Sequence, residues 1–266
     1  MAHTSSSPPK ATNTTMDGFK DIVIPVLGPT GSGKSTFVNT VLGSAEVEVG
    51  HHTTSCSKEP YPAYVLPIPD SPGFEGYRLV ILDTPGFDDT SVADVDILKR
   101  IAEWLAESRH MGALVGGVLY LHDITIKRFT STASNHLNLL SGLCGEDCMK
   151  KTVLVITNWD SVTIDESSKL RREKDMKEKH WKPIIQQGAT VHRFLRNRDS
   201  AWAIIDMLLK SDDLQKPLLL QTELVDRNIA FPDTTVGRKA HFVEEQKKGG
   251  RKKQKKFMDR LGCVIQ

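Results

Sequence analysis

Residues 28–36, Gly-Pro-Thr-Gly-Ser-Gly-Lys-Ser-Thr, decide the fold of this 266-residue chain. They match the pattern G-x-x-x-x-G-K-[ST] at every position. Glycines let the backbone curl so that successive N–H groups face phosphate oxygens. The apolar, β-branched run Asp21–Leu27 precedes the loop and predicts a buried strand, and the loop opens a predicted helix, Lys34–Leu42. The sequence therefore predicts a strand, a phosphate-binding loop and a helix in that order.

The loop residues supply different parts of the chemistry of phosphate binding. Lys34 is predicted to place its charge on the β- and γ-phosphates, and the Ser35 hydroxyl is predicted to ligate Mg²⁺. The start of the following helix adds a positive partial charge. The alternative is a connection rich in glycine and serine that binds no ligand. The predicted nucleotide contacts in the loop are Gly28, Pro29, Thr30, Gly31, Ser32, Gly33, Lys34, Ser35 and Thr36.

Strand and helix patterns alternate along the rest of the chain, which indicates an α/β fold with a mostly parallel central sheet and helices on both faces. Pro25 is unexpected within a central strand, because proline has no N–H to donate to the ladder. Further strands are predicted at Tyr61–Leu66, Tyr77–Leu82, Leu114–Leu121, Val153–Thr157 and Ala189–Phe194. Further helices are predicted at Asp94–Ser108, Ser131–Leu143, Glu166–His180 and Ala201–Leu209.

Composition divides the chain into four predicted segments. Residues 1–17 are rich in Ser, Thr and Pro and lack an apolar stretch, which predicts a disordered leader rather than a signal peptide. The α/β domain is expected at 18–210. A C-terminal helical extension follows at 211–246, with one polar amphipathic helix from about Thr222, and 247–266 form a polybasic tail.

Charge and cysteine content narrow the class of protein. The net charge is +2, but eight of the 35 Lys and Arg residues lie from Lys247 onward against one acid, so the body carries a net −5. This asymmetry indicates that the tail meets an anionic partner. No apolar run is long enough to span a membrane. The chain has four cysteines, Cys56, Cys144, Cys148 and Cys263, and so few in a chain of this length predict reduced thiols in a reducing compartment. Cys144 and Cys148 are spaced CxxxC, which does not suit a zinc knuckle.

A second motif follows the predicted strand Tyr77–Leu82. Asp83-Thr84-Pro85-Gly86 has the form D-x-x-G, which alone is a weak signal but gains weight after a strand and a phosphate loop. We expect Asp83 to hold Mg²⁺ through water and the Gly86 amide to sense the γ-phosphate.

The loop 28–36, the DTPGFDD stretch at 83–89 and the TNWD stretch at 157–160 together resemble the translation-factor-class P-loop GTPases. The resemblance is nearest to the septin-like branch, which includes the immune-associated (GIMAP-type) GTPases and the chloroplast import receptors. It covers roughly residues 20–210. It implies a Ras-like P-loop G domain that binds GTP or GDP with Mg²⁺, and it implies no specific nucleic acid partner.

The resemblance assigns a guanine-reading role to the TNWD stretch. Such proteins carry N/T-K-x-D at a strand end, and Thr157 and Asp160 stand in register with that pattern. Asp160 would accept hydrogen bonds from guanine N1–H and N2–H, which adenine does not offer. Asn158 departs from the lysine or arginine that usually stacks on the base. The alternative is a strand-end turn without a ligand, and Asn197 is a candidate for a further base contact.

The resemblance also implies a threonine that ligates Mg²⁺ within 43–58. Thr53 and Thr54 are the candidates, and similarity to the TxxC of immune-associated GTPases favours Thr53, which with Lys34 forms the predicted catalytic set. The neighbouring His51 and His52 raise a metal-site alternative, but adjacent side chains in an extended loop point apart.

Phe87 occupies the position where small GTPases carry the glutamine that orients the attacking water. A phenyl ring cannot hydrogen-bond to water, so slow intrinsic hydrolysis is expected. The septin-like branch is similar in using hydrophobic residues here and in associating through its G domains. A nucleotide-dependent homodimer that completes the site is therefore expected.

The chain ends Cys263-Val264-Ile265-Gln266, which is a C-a-a-X box of the farnesyl class. The basic stretch 251–256 supplies the second signal that a single lipid chain needs for stable attachment. We expect prenylation at Cys263 and peripheral attachment to the cytoplasmic face of an anionic membrane. The alternative for the tail is a free basic segment without a lipid. For the function of the whole protein, the alternatives are a non-hydrolysing scaffold and an ATP-using P-loop enzyme.

Overall fold

The computed structural model describes residues 18–45, 59–65, 68, 73–88, 92–210 and 214–245. Seven strands form one sheet: β1 (Lys20–Leu27), β2 (Tyr61–Val65), β3 (Tyr77–Asp83), β4 (Leu114–Val115), β5 (Val118–Asp123), β6 (Thr152–Thr157) and β7 (Thr190–Arg193). Their order across the sheet is β2-β3-β1-β5-β6-β7, and β4 pairs with β1. Only β2, which runs antiparallel to β3, departs from parallel pairing among these strands. The predicted mostly parallel sheet is confirmed.

Helices pack on both faces of the sheet. They are α1 (Lys34–Leu42), α2 (Asp94–His110), α3 (Ser131–Cys144), α4 (Glu166–Asp175), α5 (Lys182–Gln186), α6 (Arg198–Leu209) and α7 (Leu219–Gln221). Two buried clusters show the two faces: α1 and α6 contribute to one, and α2, α3, α5 and α7 contribute to the other. Alternate residues of β1 enter opposite clusters, Val23 one and Ile24 the other, as strand geometry requires. This double burial explains why β1 is almost wholly apolar.

Pro25 lies in the centre of the sheet after all, at a break in the pairing beside β1. The Val23 carbonyl accepts a hydrogen bond from the Gly116 N–H at 2.9 Å, so Val23 faces β4, and Pro25 faces the same side two residues later. On that side β4 pairs with residues 22 and 23, and β5 pairs with 26 and 27. The missing N–H of Pro25 therefore points to the side where neither β4 nor β5 pairs with Pro25.

The same break divides the single strand predicted for Leu114–Leu121 into β4 and β5. Gly116 and Gly117 stand between them, and a Cβ on Gly117 would lie 2.5 Å from the Lys151 carbonyl oxygen. The backbone approaches its neighbours too closely here for a side chain. The helix predicted at Glu166–His180 is observed as two parts: α4 is followed by a π-helical turn, Met176–His180.

The prediction of one helix from about Thr222 is wrong. A π-helical turn, Thr222–Asp226, extends α7, and a 3₁₀ turn, Phe231–Asp233, and a helical segment at 235–245 follow. The interruption has local causes: Asn228 has a φ of 51°, and proline stands at position 232 of the 3₁₀ turn. Glu223 bridges it by accepting a hydrogen bond from the Thr235 N–H at 2.9 Å.

The C-terminal extension packs on the α/β domain. Leu218, Leu220 and Val236 are buried in the cluster that α2 and α3 also form. Gly142 on α3 allows the close crossing, since a Cβ there would lie 3.2 Å from the Val236 Cα. The described part of the chain has no helix that is both long and apolar enough to cross a membrane.

Candidate nucleotide-binding site

The phosphate loop lies between β1 and α1, and backbone hydrogen bonds join it to the segment after β3. The Thr30 N–H donates to the Phe87 carbonyl at 2.9 Å, and the Phe87 N–H donates to the Gly28 carbonyl at 3.1 Å. Gly33 at the start of α1 has a φ of 88°, which only glycine adopts readily. The structure therefore brings the two predicted motifs, GPTGSGKST and DTPG, into direct contact.

Two glycines allow close backbone approaches at the loop, Gly28 to β5 and Gly86 to the loop itself. A Cβ on Gly28 would lie 2.5 Å from the Leu121 carbonyl oxygen, and a Cβ on Gly86 would lie 2.6 Å from the Thr30 Cα. Neither position has room for a side chain without a backbone shift. Gly86 is thus held against the loop, with its peptide beside the residues predicted to contact phosphate.

Lys34 turns back into the loop that precedes it. Its Nζ donates to the Pro29 carbonyl at 2.9 Å and to the Gly28 carbonyl at 3.2 Å, and the residue is only 7% exposed. Burial lowers the pKa of Lys34 from 10.5 to about 8, and the negative charge of Asp83 opposes this shift. The ammonium group is therefore poorly hydrated, so phosphate oxygens would replace weak solvation with charge-assisted hydrogen bonds.

The pKa of Lys34 predicts that nucleotide affinity falls as the pH rises. Between pH 7 and 8.5 the free protein loses the proton of a group whose pKa is about 8, whereas phosphate charges would keep the ammonium protonated in the complex. Affinity for Mg–GDP should fall by about fourfold over this range, which lies below the deprotonation of guanine. Titration calorimetry at each pH checks this, and a flat profile contradicts it.

The stability of the nucleotide-free protein should have the opposite pH dependence. The folded-state pKa of Lys34 lies below the ordinary value of 10.5, so the unfolded chain binds more protons between pH 8 and 10.5. This group's contribution to the free energy of unfolding therefore rises with pH through that window.

Ser35 and Asp83 form the pair predicted to hold Mg²⁺. The Ser35 hydroxyl donates to Asp83 Oδ2 at 2.7 Å, and Asp83 is fully buried at the end of β3. Thr84 fixes the next turn, because its hydroxyl donates to the Val26 carbonyl at 2.7 Å. A hydroxyl and a carboxylate next to a phosphate loop are the oxygen donors that Mg²⁺ prefers, so these residues fit the ion.

Thr157 connects the end of β6 to the phosphate loop. Its hydroxyl lies 2.9 Å from the Ser32 carbonyl and 3.3 Å from the His122 carbonyl. Asn158 then adopts a left-handed conformation with a φ of 55°, which asparagine tolerates better than most residues. The TNWD stretch thus begins with a threonine that binds the loop backbone.

The Trp159 side chain lies in the interior, whereas the neighbouring Asp160 side chain lies at the surface. Trp159 is buried, with the Arg193 guanidinium 3.7 Å from its ring centroid, and its carbonyl accepts a hydrogen bond from Lys169 at 2.6 Å. The Asp160 side chain is 46% exposed, and its Oδ2 lies 3.8 Å from Arg196 Nε. The tryptophan therefore anchors the turn and leaves the carboxylate at the surface.

Arg196 is a site residue that the motifs did not indicate. It lies in the loop between β7 and α6 and has a φ of 55°, and its guanidinium approaches Asp160 from that loop. Asn197, the candidate for a base contact, caps α6 by accepting a hydrogen bond from the Ser200 N–H at 2.9 Å. Because no motif marks this loop, only the fold could connect Arg196 with Asp160.

Phe87 is only 2% exposed and belongs to the core cluster of α2 and α3. Its ring packs against His136 with centroids 4.9 Å apart. The side chain at this position thus faces the interior, while its backbone pairs with the loop. Thr53, Thr54, His51 and His52, and also Cys263, lie outside the described residues.

The order of the strands, the loop between β1 and α1 and the three motifs at one edge of the sheet define a Ras-like P-loop G domain. The model of the AIG1 family matches residues 22–198. The chain therefore belongs to the AIG1 family, and it contains a GTPase domain of the guanine-nucleotide-binding type. None of the curated proteins compared matches the chain significantly.

Solved structures support the same fold. Toc33 from Arabidopsis thaliana in complex with GDP and Mg²⁺ is 18% identical with a TM-score of 0.54, and the match covers 74% of this chain and 85% of that one. A second match is a structure of the chloroplast translocon components atToc33 and psToc159, for which dimerization is described as important for GTPase activity. It is 16% identical with a TM-score of 0.53, and the match covers 74% of this chain and 86% of that one. Era bound to MgGDPNP and a 16S ribosomal RNA fragment is 18% identical with a TM-score of 0.51, and the match covers 71% of this chain and 56% of that one.

Proposed function

We propose that this protein binds GTP and GDP with Mg²⁺ and acts as a nucleotide-controlled switch or assembly module with slow intrinsic hydrolysis. The observation that carries the proposal is the contact between the loop 28–36 and the segment 83–87. Because the Thr30 N–H donates to the Phe87 carbonyl and the Phe87 N–H donates to the Gly28 carbonyl, a change at the γ-phosphate can reach both segments. Such a coupling is what a nucleotide switch requires.

The proposed roles at the phosphate end combine the geometry of the described residues with the sequence motifs. Lys34 neutralises the β- and γ-phosphates, and Ser35 and Asp83 hold Mg²⁺, Asp83 through water. Bound Mg²⁺ would neutralise charge that develops between the phosphates. Thr53 completes the ion's ligands in this proposal and, with Lys34, supports hydrolysis. Gly86 donates its amide to the γ-phosphate.

At the base end, Asp160 reads the guanine N1–H and N2–H, and Thr157 holds the TNWD turn on the loop. Arg196 lies close enough to Asp160 to orient its carboxylate or to cover the base. It can thereby compensate for Asn158, which lacks the long side chain that stacks on the base in related proteins. Adenine lacks the N1–H and N2–H donors of guanine, so a carboxylate in this place favours guanine over adenine.

The buried ring of Phe87 predicts that a glutamine does not restore rapid hydrolysis. Phe87→Gln would bury an amide in the core, at a cost of about 1–3 kcal/mol in the free energy of unfolding. Phe87→Leu keeps the site apolar and is the matched control. Single-turnover assays should find no increase in hydrolysis for either variant, with lower stability for the glutamine variant in denaturant unfolding. A glutamine variant that hydrolyses GTP faster at unchanged stability contradicts this account of Phe87.

A homodimer through the G domain is proposed to complete the catalytic site. Toc33 and psToc159 offer the precedent, since dimerization is described as important for their GTPase activity. Specific activity should therefore rise with protein concentration, and turnover in dilute protein should be slow. Rapid turnover that does not depend on concentration contradicts the dimer. Binding without turnover at every concentration would favour the alternative, a scaffold that uses nucleotide for assembly only.

We also propose that the tail anchors the protein peripherally to the cytoplasmic face of a membrane through a prenyl group on Cys263. Cys263→Ser should release the protein into the soluble fraction of eukaryotic cells. Replacing the four lysines of 251–256 with glutamine should weaken attachment without preventing lipidation, because each basic residue contributes about 1 kcal/mol near an anionic leaflet. Attachment of the charge-depleted variant should also respond less to salt than that of the unaltered protein. Intact-mass measurement of an unmodified Cys263 would refute the anchor.

A further inference from the structure

Three side chains that the proposed function does not use converge beside Phe87. Asp88 follows Phe87 directly, Asp94 begins α2, and His136 lies on α3. One ligand atom from each lies within 4.8 Å of the other two. We propose that Asp88, Asp94 and His136 bind a divalent transition-metal ion, and that Zn²⁺ suits this site best.

The histidine is the observation that points to a ligand. His136 is fully buried, and neither ring nitrogen has a hydrogen-bond partner in the described part of the chain. Buried polar atoms are almost always hydrogen-bonded, so an imidazole in this state needs an explanation. Its Nε2 faces two carboxylates, at 3.7 Å from Asp88 Oδ2 and 3.8 Å from Asp94 Oδ2.

Those two distances distinguish a metal site from a hydrogen-bonded pair. They exceed the 2.7–3.2 Å or so of an N–H···O hydrogen bond. In a tetrahedral zinc site with bonds of about 2.0–2.1 Å, neighbouring ligand atoms lie about 3.4 Å apart. The two edges at His136 would need to shorten by about 0.4 Å to reach that geometry, and the carboxylate atoms of Asp88 and Asp94 lie within 4.8 Å of each other.

The carboxylates are arranged so that each has an oxygen on the histidine side. Asp94 Oδ1 accepts a hydrogen bond from the Asp88 N–H at 2.9 Å, which leaves Oδ2 as the atom nearer His136. Tyr120 completes the surroundings with a buried hydroxyl that has no hydrogen-bond partner among the described residues. Burial, and next the charge of Asp88, raise the pKa of Tyr120, so its hydroxyl stays neutral beside the cluster.

The ligand types select the metal. One imidazole nitrogen and two carboxylate oxygens suit Zn²⁺ and similar ions, whereas Mg²⁺ and Ca²⁺ prefer oxygen ligands alone. Two carboxylates also balance the charge of a divalent ion bound to a neutral histidine. The Asp88 side chain is 43% exposed while that of His136 is buried, so an ion can enter from the surface and reach the nitrogen.

An ion at this site would join three elements: the segment after Gly86, α2 and α3. Phe87 is held between the loop, through its backbone, and His136, through its ring. Metal binding should therefore stabilise the folded protein and restrict the segment that adjoins the phosphate loop.

The test uses full-length protein that has been stripped with EDTA and then saturated with Mg–GDP, so that the Ser35–Asp83 site is filled. Zn²⁺ binding is measured by chelator competition and calorimetry, and X-ray absorption identifies the ligands. One Zn²⁺ per chain with imidazole and oxygen ligands and no sulfur is expected. Asp94→Asn and His136→Gln should each weaken binding at least about 100-fold, since even outer-shell changes cost about 10–100-fold.

His122→Gln is the matched control, because His122 is also a buried histidine but lies outside the cluster. It should leave Zn²⁺ affinity within about threefold of the original, which is negligible beside the loss expected for a removed ligand. Zn²⁺ binding that survives both cluster variants, or sulfur in the ligand shell, would overturn the proposal. The X-ray absorption result on the unaltered protein stands even where a variant does not fold. No outcome depends on GTP hydrolysis, so this test can fail while the proposed function holds.

Discussion

Lys34→Ala is expected to weaken the binding of both GTP and GDP by roughly 30- to 4,000-fold. The estimate corresponds to the loss of about 2–5 kcal/mol when one partner of a buried, hydrogen-bonded charge pair is removed. Without nucleotide the substitution removes a poorly hydrated ammonium group whose partners are two backbone carbonyls. The nucleotide-free protein should therefore keep its fold and lose only the stabilisation that nucleotide gives. Calorimetric titration and thermal unfolding with and without Mg–GDP measure the two effects.

Lys151→Met provides the control for burial of a lysine elsewhere in the core. Lys151 is 1% exposed and donates to the Val115 carbonyl at 3.0 Å, away from the phosphate loop. This variant should lower stability and leave nucleotide affinity unchanged. If Lys34→Ala keeps the affinity of the unaltered protein, Lys34 does not contact the phosphates.

Asp160→Asn is expected to weaken GDP binding by at least about 100-fold and to shift the preference from guanine to xanthine nucleotides. Two charge-assisted hydrogen bonds of about 1.5–3 kcal/mol each connect the carboxylate with guanine N1–H and N2–H. An amide N–H instead suits the 2-oxo group of xanthine. Competition binding with GDP, XDP and ADP gives the ranking directly.

Asp165→Asn is the matched control, since it makes the same chemical change in the same connection between β6 and α4. Asp165 accepts a hydrogen bond from the Ser168 N–H at 2.9 Å as the N-cap of α4, and asparagine caps helices equally well. The control should bind GDP as the unaltered protein does. An unchanged ranking for Asp160→Asn would mean that TNWD is a strand-end turn without a ligand.

Local patterns were enough to predict the strand and the helix on either side of the phosphate loop. The apolar run before the loop predicted β1 to within one residue, and Lys34–Leu42 was predicted with both bounds correct. Signals of this kind succeed because strand alternation, glycine geometry and helix starts depend on near neighbours in sequence.

The features that escaped prediction depend on residues far apart in the chain. Pro25 is tolerated because pairing on one side of β1 breaks near Gly116, and no local pattern shows which strand lies there. The C-terminal segment packs on α3, where Val236 lies against Gly142, and only the fold places these two residues together. Arg196 and His136 acquire their significance only from the side chains that the fold places opposite them.

The central claim is that the ligand of the loop 28–36 is a guanine nucleotide. The most direct measurement denatures the purified protein and identifies the released nucleotide by chromatography, with the Lys34→Ala protein prepared in parallel. The account predicts GDP or GTP in near-stoichiometric amount from the unaltered protein and none from the variant. ADP or ATP in place of the guanine nucleotide, or the same nucleotide from both proteins, would contradict it.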